Sequence, residues 1–154
     1  MEQEQVSLTG YIKRTVHRAN GEIEVEEGYN TIHTDLINKV NDNLRASTGY
    51  GTDALFSAND GPPQDNEDGI AVDLGSGWHS MITTVSEPSA YSSKWSGTIT
   101  GTAGTIASAS DVELGHNFDG QAGFVTIFAN PTTWGSLTLG SADTLTIDWT
   151  ITVS

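Results

Sequence analysis

The stretch DTLTIDWTITV at residues 143–153 decides the fold class of this chain. Its apolar residues alternate strictly with threonine or aspartate, which is the period of a β-strand with one buried and one solvent-facing side. β-branched and aromatic residues fill it, as strands prefer. The apolar positions, which we expect to face a core, are Leu145, Ile147, Trp149, Ile151 and Val153. The sequence therefore predicts a mainly β protein that holds this strand inside a sheet.

Length, charge and cysteine content restrict the remaining possibilities. The 154 residues suit one domain, and the absence of cysteine excludes disulfides and thiolate metal sites. The formal net charge is −14, and the only Lys or Arg after Arg45 is Lys94. Such a surface repels nucleic acid, and no apolar run is long enough to span a bilayer. We therefore expect an acidic single domain, residues 1–154, with neither a nucleic-acid nor a membrane partner.

A β-hairpin is predicted over residues 6–28. Asn20-Gly21 is a two-residue turn signal, because a type I′ turn needs positive φ at both central positions. Cross-strand pairing favours the apolar and opposite-charge matches that this turn would create. The predicted opposed pairs are Val16 with Val25, His17 with Glu24, Thr15 with Glu26 and Arg14 with Glu27.

One helix and one long loop are predicted after the hairpin. Apolar residues recur at helical spacing over residues 30–46, which indicates an amphipathic helix. Residues 47–69 are rich in Gly, Pro, Asn and Asp, so we expect an irregular loop there. The apolar positions of the predicted helix are Ile32, Leu36, Ile37, Val40 and Leu44.

The remainder of the chain, residues 70–154, is predicted to be all β. Short strand-like runs are separated by glycine-rich breaks, and this spacing is typical of an antiparallel β-sandwich of jelly-roll-like form. The predicted strands are Ile70–Leu74, Trp78–Ser86, Ser93–Thr100, Thr105–Ser110, Ala122–Ala129, Trp134–Leu139 and Thr144–Val153.

Two weak binding sites can be drawn from the sequence. Asp65, Glu67 and Asp68 supply carboxylates in a loop, which hard cations such as calcium prefer. The EF-hand pattern is missing, so a solvated acidic loop is the favoured interpretation. Trp95 and Trp134 follow polar stretches, and exposed rings there would form a sugar-stacking platform.

Catalytic patterns are missing from the sequence. Gly75-Ser76-Gly77 is too short for a nucleophile elbow, and no two of the four histidines have the spacing of a zinc site. No phosphate-binding glycine loop is present. We therefore expect a non-enzymatic protein with no cofactor and no resident metal.

The layout of the chain carries a family resemblance. Gly28-Tyr29-Asn30-Thr31-Ile32 precedes the predicted helix, and a closing D-x-L-x-I-x-W-x-I strand occupies residues 143–151. This arrangement resembles small structural proteins of tailed-virus (bacteriophage-like) particles, of the capsid decoration (cement) or tail-associated type. In that family a "G-x-N-x-I" segment comes before a short helix, and a strand of this kind completes a sandwich.

The resemblance implies an assembly role. It implies a virion structural protein that is made in the host cytoplasm and sits on the particle surface as a homo-oligomer. Its partners would be the major capsid protein or other virion proteins, and its contacts would stabilise the shell. A tail or head–tail connector protein is the alternative within this class. A carbohydrate-binding, receptor-recognising module that uses Trp95 and Trp134 is the alternative from another class.

Overall fold

The computed structural model describes residues 7–34, 36, 68–89, 92–119, 121–132 and 134–153. These residues are mainly β, and every strand pairing is antiparallel. One short 3-10 turn, Ala109–Asp111, precedes the eighth strand. The strands are β1 (Leu8–His17), β2 (Ile23–Ile32), β3 (Asp68–Asp73), β4 (Trp78–Ser80), β5 (Ile82–Ser89), β6 (Ser92–Thr100), β7 (Gly104–Ile106), β8 (Val112–Asp119), β9 (Gly123–Pro131), β10 (Leu137–Leu139) and β11 (Thr144–Val153).

Nine strands form one large sheet that is nearly closed. Its order is β4-β3-β8-β9-β2-β1-β11-β6-β5, and β10 pairs with β7 in a separate two-stranded sheet. Only Met81 separates β4 from β5, and its N–H donates to the Ile70 carbonyl at 2.9 Å. The chain therefore runs beside β3 and then beside β6, which brings the two ends of the sheet together. This confirms a mainly β antiparallel protein but does not confirm the sandwich or jelly-roll arrangement.

Strand β11 lies inside the large sheet, between β1 and β6. Its inward residues Leu145, Ile147, Trp149 and Ile151 are buried in the core, as the alternation predicts. Val153, at the strand end, is 37% exposed, so its predicted core position is wrong. The Trp149 Nε1–H donates to Asn30 Oδ1 at 2.9 Å, which satisfies the one polar atom of this buried ring.

The β1–β2 hairpin is confirmed, but its predicted register is wrong by one residue. Gly21 N–H donates to the Arg18 carbonyl and Arg18 N–H to the Glu22 carbonyl, with φ +91° at Gly21. This is a three-residue loop with glycine in the left-handed position, in place of the two-residue turn. Val16 therefore faces Glu24, and Arg14 faces Glu26. Because side chains alternate, the shift exchanges the faces of β2.

The predicted helix over residues 30–46 is only partly within the described residues. Asn30–Ile32 belong to β2 and pair with β9, so the predicted helix start is wrong. Thr34 and Leu36 are helical, and Leu36 N–H donates to the His33 carbonyl at 3.1 Å. Residues 35 and 37–46 lie outside the described residues, as do residues 47–67 of the predicted loop 47–69. The last two residues of that loop, Asp68 and Gly69, begin β3, so the predicted loop end is wrong.

Strand β8 is the main element that the sequence did not predict. Its inward residues Val112 and Leu114 are fully buried, and it lies between β3 and β9 in the large sheet. Glu113 and Gly115 interrupt its pattern with residues that strands disfavour. The predicted strands over residues 105–110 and 134–139 are shorter than expected, because only Gly104–Ile106 and Leu137–Leu139 pair.

Candidate binding surface

The outer face of the sheet differs between its two halves. On the hairpin, four apolar or aromatic side chains point outward and are exposed. On β11 and β6, the outward side chains are mostly hydroxyls. We call the first set the hairpin strip, and it consists of Tyr11, Ile23, Val25 and Tyr29.

The hairpin strip is held by cross-strand contacts. The rings of Tyr11 and Tyr29 face each other edge to face, with centroids 5.9 Å apart. Tyr29 is 74% exposed, and Lys13 and Glu27 form an ion pair of 3.9 Å beside the rings. Exposed tyrosines beside β-branched residues are typical of surfaces that bind other proteins, because such rings bury much area at low entropic cost.

The hydroxyl side of the outer face bonds to itself. Thr144 and Thr100 share a hydrogen bond of 3.0 Å, and Ser96 donates to Asp148 at 2.6 Å. Lys94 lies 3.7 Å from the same carboxylate. The threonine row of β11 is half-buried between neighbouring strands, and the hydroxyl groups of Thr144 and Thr146 have partners on β6.

A cleft of about 300 Å³ lies beside the inner side of the hairpin. One wall is the edge of β2 at Glu24–Glu26, and the other is Ser136–Thr138. Arg14 and Arg18 cross between the walls: Arg14 donates to the Gly135 carbonyl at 3.2 Å and Arg18 to the Thr138 carbonyl at 2.6 Å. The cleft is thus an opening in the sheet wall, bridged by two arginine side chains.

Both arginines of the cleft are paired with acids. Arg14 is almost fully buried, forms an ion pair with Glu26, and lies 4.8 Å above the centroid of the Trp134 ring. Arg18 bonds Glu24 at 2.7 Å and Asp143 at 2.9 Å. A buried arginine stacked on tryptophan is a rigid support, because both planar groups lose little further freedom.

Asp143 ties the hairpin tip to the turn before β11. It accepts hydrogen bonds from Gly140 N–H at 2.7 Å and Ala19 N–H at 2.9 Å, in addition to the Arg18 guanidinium. These donors, the backbone N–H groups first, hold the pKa of the Asp143 carboxyl below its usual range. No local pattern in the sequence indicates the contact with the hairpin tip, because Arg18 and Ala19 lie about 125 residues before Asp143.

Glu113 is a buried acid on β8. The Phe124 N–H donates to its Oε2 at 2.9 Å, and Gly123 lies against the carboxylate. Burial raises the pKa of the Glu113 carboxyl to about 6, although the hydrogen bond from Phe124 acts in the opposite direction. Only 4% of this residue is exposed, so it contacts no open cleft.

The sequence-predicted glycan platform is not formed. Trp95 is fully buried and Trp134 is 8% exposed, so neither ring offers a free face to a sugar. Trp95 packs in the core opposite Trp149, and Trp134 lies beneath Arg14. The prediction that these rings are exposed is therefore wrong. Polar residues precede both tryptophans in the sequence, but the rings themselves occupy core positions.

The calcium candidates are divided by the structure. Asp65 and Glu67 lie outside the described residues. Asp68 begins β3, is fully buried, and lies 2.7 Å from His116 Nδ1. Across the described ranges, no three histidine or acidic side chains are grouped as a metal ion would need.

Three histidines have structural partners, and that of His17 differs from the predicted one. His17 lies opposite Ile23 on the exposed face, not opposite Glu24. His33 bonds Asn130 at 2.6 Å, and His116 stacks on Phe128 besides contacting Asp68.

In the part of the chain that is described, no helix has the length and apolar character to cross a bilayer.

Comparisons with known proteins gave no match: no family model, no curated protein and no solved structure is similar enough to this chain to be counted.

Proposed function

We propose that the protein is a non-enzymatic structural component of a viral particle, a capsid decoration protein that binds neighbouring shell subunits. The observation that carries the proposal is the hairpin strip. Its tyrosine pair and two β-branched residues stand on the outer face of a well-paired sheet, where nothing among the described residues covers them. A rigid sheet that presents aromatic anchors suits a protein that clamps other subunits.

The charge of the chain fits the same role. A net charge of −14 keeps the free protein soluble and monodisperse before assembly, despite exposed apolar side chains. The same charge repels packaged nucleic acid, so an outward position on the shell is favoured over an inward one. A homo-oligomer on the shell would repeat the hairpin strip around a symmetry axis. A tail or head–tail connector position uses the same physics and is the alternative.

The test is the composition of particles. Particles of the virus that encodes this chain are expected to contain it in a fixed ratio to the major capsid protein, and deletion of its gene should yield less stable shells. Mass spectrometry and electron microscopy of both particle types measure this. Density on the tail would favour the alternative position. Purified particles without any of the chain would overturn the proposal.

The hairpin strip can be tested in the same system. Particles from the gene-deletion strain are incubated with purified protein, and bound protein is measured by co-sedimentation. A Tyr11→Ser/Tyr29→Ser double variant is expected to bind at least about tenfold more weakly, as for loss of interface anchors. The matched control is Ile82→Ser, because Ile82 is 55% exposed on the opposite border of the same face. Equal losses in both variants would contradict the role of the strip.

A further inference from the structure

The edge of β2 brings unpaired backbone groups to the cleft. Arg18 N–H bonds the Glu22 carbonyl, so the hydrogen-bonded pairs with β1 involve the even-numbered residues of β2. The backbone groups of Ile23, Val25 and Glu27 therefore point away from β1. Strand β9 pairs only with the last three residues of β2, and no other described strand reaches the edge before it. Val25 lines the cleft, so its N–H and carbonyl groups are open to a molecule that enters.

The charges that line the cleft cancel. Arg14 forms an ion pair with Glu26, and Arg18 forms one with Glu24, so each charged side chain of the lining already has a partner. An anion would have to compete with the glutamates for the arginines, and a cation would have to compete with the arginines for the glutamates. Either ligand would leave one member of a pair without its partner, which is costly. The cleft is therefore suited to an uncharged ligand.

Hydrogen-bonding groups remain free on the same walls. Both ion pairs use Oε2 of the glutamate, and no donor among the described residues reaches Oε1 of Glu24 or Glu26. On the opposite wall Ser136 is exposed, and its hydroxyl group has no partner in the described part of the chain. Acceptors and the Val25 N–H on one wall therefore face a hydroxyl group on the other. A sugar hydroxyl fits such a site, because it donates and accepts at once.

The floor of the cleft is apolar, in contrast to its rim. Val16 and Leu137 line the cleft and are almost fully buried, whereas Glu24 and Ser136 are exposed. The volume of about 300 Å³ is free with both arginine side chains in place, and it lies at the lower end of the range for small-molecule sites. A sugar ring has the same division, because its C–H groups are apolar and its hydroxyl groups surround them.

We propose that the cleft between β2 and residues 136–138 binds a short uncharged saccharide. The glutamate Oε1 atoms and the Val25 carbonyl accept hydrogen bonds from sugar hydroxyl groups, while the Val25 N–H and the Ser136 hydroxyl donate to them. Val16 and Leu137 contact the C–H groups of the ring. The site shares no residue with the tryptophan platform that the sequence predicts, and the inference does not rest on membership of a viral particle.

Matched sugars test the proposal on the full chain. Glucose, galactose and mannose are each compared with their uronic acid, an anion, and their amino sugar, a cation. NMR titration follows the backbone amide signals of Val25 and Ser136. At least one neutral sugar is expected to shift both signals in a saturable way. Its two charged analogues should bind at least about tenfold more weakly, because an unpaired charge is costly in the cleft. No saturable shift with any of the neutral sugars, or equal affinity for a charged analogue, would overturn the proposal.

A pair of serine substitutions tests the position of the site. Ser136→Ala removes a hydroxyl group from the rim and should weaken binding of the neutral sugar at least about threefold. Ser86→Ala is the matched control and should leave the affinity unchanged, because Ser86 is exposed on β5 and does not line the cleft. Equal affinity in the two variants would place the sugar elsewhere and contradict the proposal.

A charge substitution tests the balance of the lining. Glu24→Gln keeps an acceptor oxygen and leaves Arg18 paired with Asp143, so the fold should be retained. The lining then gains a net positive charge, and the uronic acid of the bound sugar should bind at least about threefold more tightly than it binds the unaltered protein. The exposed Glu87→Gln changes the net charge of the chain equally and should not show this gain. No difference between the two variants would contradict the role of the paired charges.

Discussion

Strands β11 and β2 are both ten residues long and both carry alternating patterns, but they occupy opposite situations. β11 has a partner on each side, and its apolar residues face the core. Among the described residues β2 has one partner strand along Ile23–Gly28, and Ile23 and Val25 face outward while Glu24 and Glu26 face the cleft. Alternation therefore identifies a strand, but it does not say which parity faces the core.

The difference has a functional consequence. A strand with both edges paired contributes stability, while a strand with an open edge and exposed apolar residues is costly unless something covers it. Charged side chains along a strand edge generally disfavour pairing between identical edges, and β2 carries Glu24 and Glu26 there. The same features make the hairpin the part of the molecule best suited to bind a partner.

The largest expected effect on stability concerns β11, the strand whose apolar residues face the core. Trp149→Ala should lower the free energy of unfolding by about 3–5 kcal/mol, because the ring is fully buried and its N–H has a partner. Trp149→Phe is the matched control and should cost less, since it keeps most of the volume. Urea unfolding measures both. A near-neutral Trp149→Ala would break the distinction between the two strands.

The second largest expected effect on stability concerns Glu113, an acid buried in the sheet. The glutamates of β2, in contrast, are accessible to solvent. The pKa of Glu113 is raised from 4.5 to about 6, so its burial costs nothing at pH 4 and costs about 2 kcal/mol above pH 7. Glu113→Gln keeps an acceptor for Phe124 N–H and should therefore stabilise the protein by roughly that amount at pH 7.5.

The pH dependence provides the check for this substitution. When folding raises the pKa of an acid, the group does not lower the free energy of unfolding at a pH below its pKa in the unfolded state. The free energy of unfolding falls as the pH rises through the pKa in the folded state. The advantage of Glu113→Gln should therefore vanish by pH 4. The exposed Glu87→Gln should change stability by less than about 0.5 kcal/mol at both pH values. An advantage of the same size at pH 4 and pH 7.5 would contradict the account.

The hairpin loop gives a smaller effect that tests its register. Gly21 has φ +91°, where a side chain is strained, whereas Gly28 has open space around an added Cβ and no such φ. Gly21→Ala should cost about 1 kcal/mol, and Gly28→Ala should be neutral or slightly stabilising. Thermal unfolding of both variants measures the difference. Equal melting temperatures would favour a different loop.

The smallest expected effect concerns the exposed apolar residues of β2. Ile23→Thr should change the free energy of unfolding by less than about 0.5 kcal/mol, because the side chain is mostly in solvent and threonine keeps the β-branched shape. The buried Ile147→Thr is the contrast and should cost several times more. A large loss for Ile23→Thr would mean that this residue packs against other parts of the chain.

Much of the fold follows from local patterns, and the rest depends on contacts that no local pattern encodes. The boundaries of β11 were predicted closely because apolar burial there has period two without interruption. The hairpin register was wrong because Asn-Gly also suits a three-residue loop with glycine in the left-handed position. Strand β8 was missed because Glu113 and Gly115 have low strand propensity. Tertiary packing, which no local pattern shows, holds both residues in a buried strand.

The binding surface was predictable only in part. Exposed residues on β2 follow from the correct register, which the sequence did not give. The buried position of Trp95 follows from its place opposite Trp149, a pairing across 54 residues of chain. The cleft and its arginine bridges depend on segments that meet only when the sheet curls, so no spacing in the sequence indicates them.

Native-state hydrogen exchange of the free protein tests the central claim, that β2 has one open edge, most directly. We expect the amides of Ile23, Val25 and Glu27 to exchange at least about 100-fold faster than those of Glu24 and Glu26, while all β11 amides from Leu145 to Ile151 are protected. This alternating pattern on β2 alone would confirm the comparison. Uniform protection along β2 would contradict it.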